Sequence, residues 1–165
     1  MKLIAQKRGK NEKYDLLRYL RPDGSETKSE MPRQGVLPHD LVHFVVESRL
    51  GLQHGFLSLV ARGADASFIM DVIHDKANPS VELEAVLAEA VVEALQTQLW
   101  AGSFDDGDFL EGVRGACAAR DKPAFSFEKI EPESLYHAAI ELNQQWSALA
   151  NFQSIELDFA FAKSS

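Results

Sequence analysis

The segment Ile155–Phe161, whose sequence is IELDFAF, places a large apolar side chain at every second position near the end of the chain. Glu156, Asp158 and Ala160 occupy the positions between. Successive side chains of a β-strand point to opposite faces of the sheet, so this period of two predicts a strand with one buried face. A strand needs a partner, and the best partners in this sequence lie at the other end of the chain.

Three further strands are predicted near the N-terminus. Lys2–Lys7 and Lys13–Leu20 flank a short polar loop and predict a hairpin. The second of these runs ends at Arg21–Ser25, where Pro22 presets φ and Gly24 accepts a positive φ. A polar third strand, Glu26–Met31, follows as a sheet edge. We therefore expect residues 1–31 and 153–162 to form one small antiparallel sheet.

The middle of the chain is predicted to be mainly helical. Pro38 suits the first position of a helix, and Gly51 suits its end. Predicted helices are Pro38–Leu50, Gln53–Ala61, one capped by Ser80 with an apolar stripe from Leu83 to Leu99, Phe109–Arg120 after a cap at Asp105–Asp108, and one from Glu131 onward. Residues 66–76 fit a strand or a helix equally well. The predicted fold is a single α+β domain over residues 1–165, with the helices packed on one face of the sheet.

Composition limits the classes of function. The chain has 165 residues, a net charge of −8 and one cysteine, Cys117. An acidic surface without a basic stripe repels phosphate backbones, so we expect no duplex DNA or other nucleic-acid partner. A lone cysteine suits a reducing compartment, and no apolar run is long enough to span a membrane. These features favour a cytoplasmic protein without a membrane partner; a protein partner stays undetermined.

One cluster of residues suggests chemistry. His39, His43 and Glu47 are spaced four residues apart and therefore share one face of the predicted helix Pro38–Leu50. Two imidazoles one turn apart can bind one metal ion, as in the His-Glu-x-x-His motif of zinc proteases. Asp40 replaces the glutamate of that motif, and its shorter side chain argues against protease-like chemistry. The predicted ligands are His39, His43 and Glu47, holding zinc or another imidazole-preferring divalent ion.

A second interpretation has no metal. His43 and Glu47 then hydrogen-bond to each other or to nearby loops inside a nearly all-apolar helix. The protein would be a non-catalytic interaction or regulatory domain, with the His/Asp/Glu cluster as part of its structure. The sequence leaves both interpretations open, and with them whether the protein is an enzyme.

Other polar residues carry weaker expectations. His54 can approach the cluster by a chain reversal, whereas His74 is predicted to lie in a polar loop. Glu89 and Glu93 form a carboxylate pair at helical spacing, which a solvated helix face explains.

The region around the cluster resembles a motif of uncharacterised bacterial proteins of similar size. Leu37–Glu47 reads LPHDLVHFVVE and is followed by Gly51-Leu52 and Gly55-Phe56. The resemblance covers residues 37 to about 65. It implies a bacterial origin, and because that group has no established activity, it gives no role to any residue here.

Overall fold

The architecture is known from a computed structural model, which describes residues 1–74 and 83–160. The strands are β1 (Lys2–Gln6), β2 (Tyr14–Leu20), β3 (Glu26–Pro32) and β4 (Ser154–Asp158). The helices are α1 (His39–Leu50), α2 (Phe56–Ala61), α3 (Ala66–His74), α4 (Leu83–Ala101), α5 (Asp106–Ala119) and α6 (Pro132–Ser147). The predicted cap at Ser80 and the predicted strand end at Phe161 lie outside the described residues.

The predicted α+β class and sheet are confirmed. The order β3-β2-β1-β4 is antiparallel throughout, and the terminal strand β4 pairs with β1, with Leu3 opposite Leu157. A further backbone hydrogen bond joins the two ends of the chain: the Phe159 N–H donates to the Met1 carbonyl at 2.8 Å. Local alternation at both ends of the chain was therefore enough to predict a contact between residues more than 150 positions apart.

The sheet presents one apolar face to the helices. Its buried apolar side chains occupy alternate positions and lie on the same side: Leu3, Ala5, Leu17, Tyr19 and Met31. The opposite face carries ion pairs, among them Lys2–Glu156 and Arg18–Glu26. Burial of the apolar face against helices is the main stabilising contribution of this arrangement.

Helix α1 occupies the centre of the molecule. Pro38 precedes its first turn, and Gly51 ends it with φ of 62°, a left-handed conformation that glycine adopts without a steric penalty. The helix contacts α2, α4, α6 and β3. Contacts on several sides explain why its polar residues Asp40, His43 and Glu47 are all buried.

Several boundaries differ from the sequence-based expectations; the last strand, for example, ends at Asp158. The second predicted helix starts at Phe56 and not at Gln53, because residues 51–55 form the turn that follows α1. The ambiguous residues 66–76 form helix α3 as far as His74, which is helical and not part of a polar loop. Within the described residues, no helix combines the length and apolar character needed to cross a membrane.

Candidate metal centre

The first turns of α1 direct two histidines toward helix α4. His39 and His43 are one turn apart, and their ring centroids are 5.0 Å from each other. His43 is fully buried, whereas the His39 side chain keeps 17% of its surface exposed. The predicted closeness of these two imidazoles is thus present in the structure.

Both histidines contact Glu89 of α4. Its carboxylate accepts from His43 Nε2 at 2.7 Å and lies 3.2 Å from His39 Nε2. Glu89 is only 1% exposed, so the expectation that it lies on a solvated helix face is wrong. The physical reason is that α4 contacts α1 on one side and α5 on another, which buries residues all round the helix.

A third histidine reaches the same carboxylate. His74, the last residue of α3, lies with Nε2 3.3 Å from Glu89 Oε1 and 3.3 Å from His39 Nε2. Its side chain is about half exposed. Three helices that are distant in sequence therefore meet at one buried carboxylate.

The atoms His39 Nε2, His74 Nε2 and Glu89 Oε1 form a nearly equilateral triangle. Its edges are 3.2, 3.3 and 3.3 Å. A tetrahedral zinc ion with bonds of about 2.0–2.1 Å separates its ligand atoms by about 3.3–3.4 Å. His39, His74 and Glu89 are accordingly a group that can hold a metal ion.

Hydrogen bonds around His39 favour the tautomer that a metal ligand needs. The amide nitrogen of Gln34 donates to the Leu37 carbonyl at 2.7 Å and to Gln96 Oε1 at 2.9 Å. Because the Gln96 oxygen is thereby assigned as an acceptor, His39 Nδ1, 3.2 Å away, is the donor. In a neutral ring the lone pair then lies on Nε2, which faces His74 and Glu89. Such a bond to the remote nitrogen commonly orients metal-binding histidines.

His43 is held between two carboxylates. Its Nδ1 donates to Glu47 Oε2 at 2.9 Å, and its Nε2 donates to Glu89. Burial opposes a charge on this ring, but the hydrogen bonds and charges of Glu47 and Glu89 outweigh it and raise the pKa of His43 to about 10. His43 is therefore an imidazolium ion with both nitrogens occupied.

Glu47 stabilises the next helix as well as His43. Its Oε1 accepts from the backbone N–H of Leu57 at 2.9 Å, at the start of α2. A Cβ atom at Gly55 would overlap this carboxylate, so glycine is needed where the turn passes close to Glu47. Glu47 thus contacts the edge of the His43 ring opposite to Glu89. His54, in the same turn as Gly55, is exposed.

The sequence-predicted ligands are therefore divided between two layers. His39 is in the triangle, whereas His43 and Glu47 form a buried pair behind its carboxylate. His74 and Glu89 were missed as partners because they come from other helices at no characteristic spacing. Burial would raise the pKa of Glu89, yet its contacts with His39, His43 and His74, together with the charge of His43, hold that pKa well below its usual range.

A cleft of about 420 Å³ borders the triangle. His39, His74 and Asp40 contribute to its lining. Asp40 is 5% exposed, and its Oδ2 accepts from Ser29 Oγ at 2.8 Å and from the Tyr19 hydroxyl at 3.4 Å. The candidate metal centre therefore lies at the wall of an open space large enough for a small molecule.

Comparison with known proteins adds no relative. None of the protein-family models, curated proteins or solved structures that were compared with the chain matches it.

The charge on His43 predicts a pH dependence of stability. The folded pKa of about 10 lies above the unfolded value of 6.5, so the stabilisation is complete below about pH 6.5 and is lost as the pH rises through 10. We expect the free energy of unfolding of the chelator-treated protein to fall by about 2–4 kcal/mol between pH 7 and 10. Urea unfolding across this range measures it. His43→Gln should remove most of the fall, and an equal fall in both proteins would contradict the assignment.

Proposed function

We propose that this protein binds a divalent transition metal ion of the zinc class through His39, His74 and Glu89. The single observation that carries the proposal is the triangle of 3.2–3.3 Å between their ligand atoms. These separations are those that two imidazole nitrogens and a carboxylate oxygen take around a tetrahedral zinc ion. Two acceptor groups, the His39 lone pair and the Glu89 carboxylate, also face each other, and a cation between them removes their repulsion.

The donor set selects the kind of metal. Two imidazole nitrogens and one carboxylate suit zinc, iron, cobalt or nickel, whereas calcium and magnesium prefer oxygen ligands alone. The interpretation therefore keeps the zinc-class metal expected from the sequence and exchanges two of its ligands.

Three protein ligands point to a catalytic site. Structural zinc sites are closed by four protein ligands, whereas catalytic sites keep a position for water or substrate. The cleft along His39 and His74 supports an open position there. We propose hydrolysis as the chemistry, because a zinc-class ion polarises a carbonyl group and lowers the pKa of a bound water.

Zinc titration of the metal-free protein tests the proposal. We expect isothermal calorimetry to detect one zinc ion per chain. His74→Ala should weaken this binding by at least about a hundredfold, which exceeds the usual effect of removing a residue that only hydrogen-bonds to a metal ligand. Because His74 is about half exposed, the substitution should leave the melting temperature without metal nearly unchanged. Removal of the exposed His54 is the matched control and should not alter zinc binding.

A second function is favoured by one observation. Both nitrogens of His43 are occupied by carboxylates, so the inner half of the cluster is satisfied without an ion. In a non-catalytic interaction or regulatory domain the whole cluster would be such an ion-pair network. No heat of zinc binding and no melting shift with zinc, nickel, cobalt or manganese would establish this alternative and refute the metal centre.

A further inference from the structure

The cleft beside the candidate metal centre has an acidic lining. Among the described residues that form it, the charged residues other than histidine are all acidic: Glu30, Asp40 and Asp71. Ser29 and Ser67 add hydroxyl groups, and Met70 contributes an apolar surface. No described lysine or arginine lines this space, so a phosphate or carboxylate group on a ligand would meet negative charge.

The three carboxylates differ in what already neutralises them. The side chain of Glu30 lies on the face of the sheet away from the helices and 3.6 Å from Arg8, so it contributes little charge to the cleft. Asp40 is buried and accepts hydrogen bonds from two hydroxyls, which orient it without adding a positive charge. Burial and the charge of Asp40 raise the pKa of Tyr19, so that hydroxyl stays a neutral donor. Asp71 is exposed on α3, one turn before the ligand His74.

We propose that the cleft takes a small ligand that carries a protonated amine and presents its reacting carbonyl to the metal ion. This inference rests on the proposed metal centre, since the ion would hold the carbonyl end of the ligand. His74 and Asp71 lie on the same side of α3, three residues apart, so a group bound at the ion has a carboxylate within one helical turn. An ammonium group is attracted there, and an anionic group is repelled.

Three hydroxamates that share the same two-carbon chain test the inference on the cobalt-loaded protein. Each binds a metal ion through the same group; β-alanine hydroxamate adds an ammonium, succinic monohydroxamate a carboxylate, and propionohydroxamate no charge. The visible absorption of cobalt reports both metal binding and ligand binding. We expect the ammonium compound to bind at least about tenfold tighter than the carboxylate compound, with the neutral compound between them.

Variants at Asp71 show whether the cleft causes the preference. Asp71→Asn should reduce the ratio of affinities, and Asp71→Lys should reverse it. Glu111→Gln removes an exposed carboxylate of α5 outside the cleft and should leave the ratio unchanged. Equal affinities for the three compounds, or cobalt bands that none of them alters, would overturn the amine inference and leave the metal centre intact. Cobalt that gives no visible bands with the protein would overturn both proposals.

Discussion

Replacement of Glu89 by alanine is expected to destabilise the metal-free protein by about 3–5 kcal/mol and to abolish zinc binding. Glu89 is buried and accepts from the His43 imidazolium at 2.7 Å. Without it, His43 keeps a buried charge that only Glu47 offsets, or gives up a proton at a cost. The triangle also loses its anionic ligand, so two neutral imidazoles remain to hold a dication. Urea unfolding with chelator measures the first effect, and calorimetry with zinc measures the second.

A control on the same helix separates these effects from a general weakening of α4. Glu84 lies in the first turn of that helix and is less buried than Glu89, so Glu84→Ala should cost less than about 1 kcal/mol and leave zinc binding unchanged. If Glu89→Ala fails to fold, Glu89→Gln keeps the shape and an acceptor while removing the charge. Retention of zinc affinity in Glu89→Gln would contradict a carboxylate ligand at this position.

The fold was predictable because its signals are local. The alternation that forms β4, the turn at Pro22–Gly24 and the Pro38 and Gly51 boundaries each reflect a short-range preference that the structure obeys. Residues 66–76 lacked such a signal, since a short apolar run fits a buried helix and a strand equally well. The helical conformation of α3 is instead favoured by its tertiary contacts with β3, α2 and α4.

The candidate site was predictable only in part, because tertiary contacts bring together residues that are far apart in the sequence. Spacing along α1 is local and indicated His39 and His43, but Glu89 and His74 reach them from α4 and α3 through tertiary contacts. The helical wheel misled at Glu89 because it assumes one buried face, and α4 has neighbours on more than one side. A buried carboxylate is the partner that a buried histidine pair requires. The need for a partner was therefore foreseeable, but its position in the sequence was not.

The role of Glu47 decides between the ligand set expected from spacing and the one supported by the geometry. Glu47→Ala is expected to destabilise the metal-free protein by about 3–5 kcal/mol, because it leaves the His43 imidazolium and the Leu57 N–H without their acceptor. Zinc affinity should fall by only about 10–100-fold, which is the usual effect of losing a residue that acts on the ion through a hydrogen-bonded neighbour. Urea unfolding and calorimetry on the same samples give both quantities.

Comparison with His74→Ala makes this prediction decisive. If Glu47 binds the ion directly, Glu47→Ala must weaken zinc binding far more than His74→Ala, which must then leave the affinity nearly intact. If Glu47 acts through His43, the order is reversed: His74→Ala is severe for zinc and mild for folding, whereas Glu47→Ala is severe for folding and moderate for zinc. Glu47→Gln keeps an acceptor for the Leu57 N–H while removing the charge beside His43, so it serves if the alanine variant does not fold. Its zinc affinity should still exceed that of His74→Ala, because the triangle of His39, His74 and Glu89 stays complete.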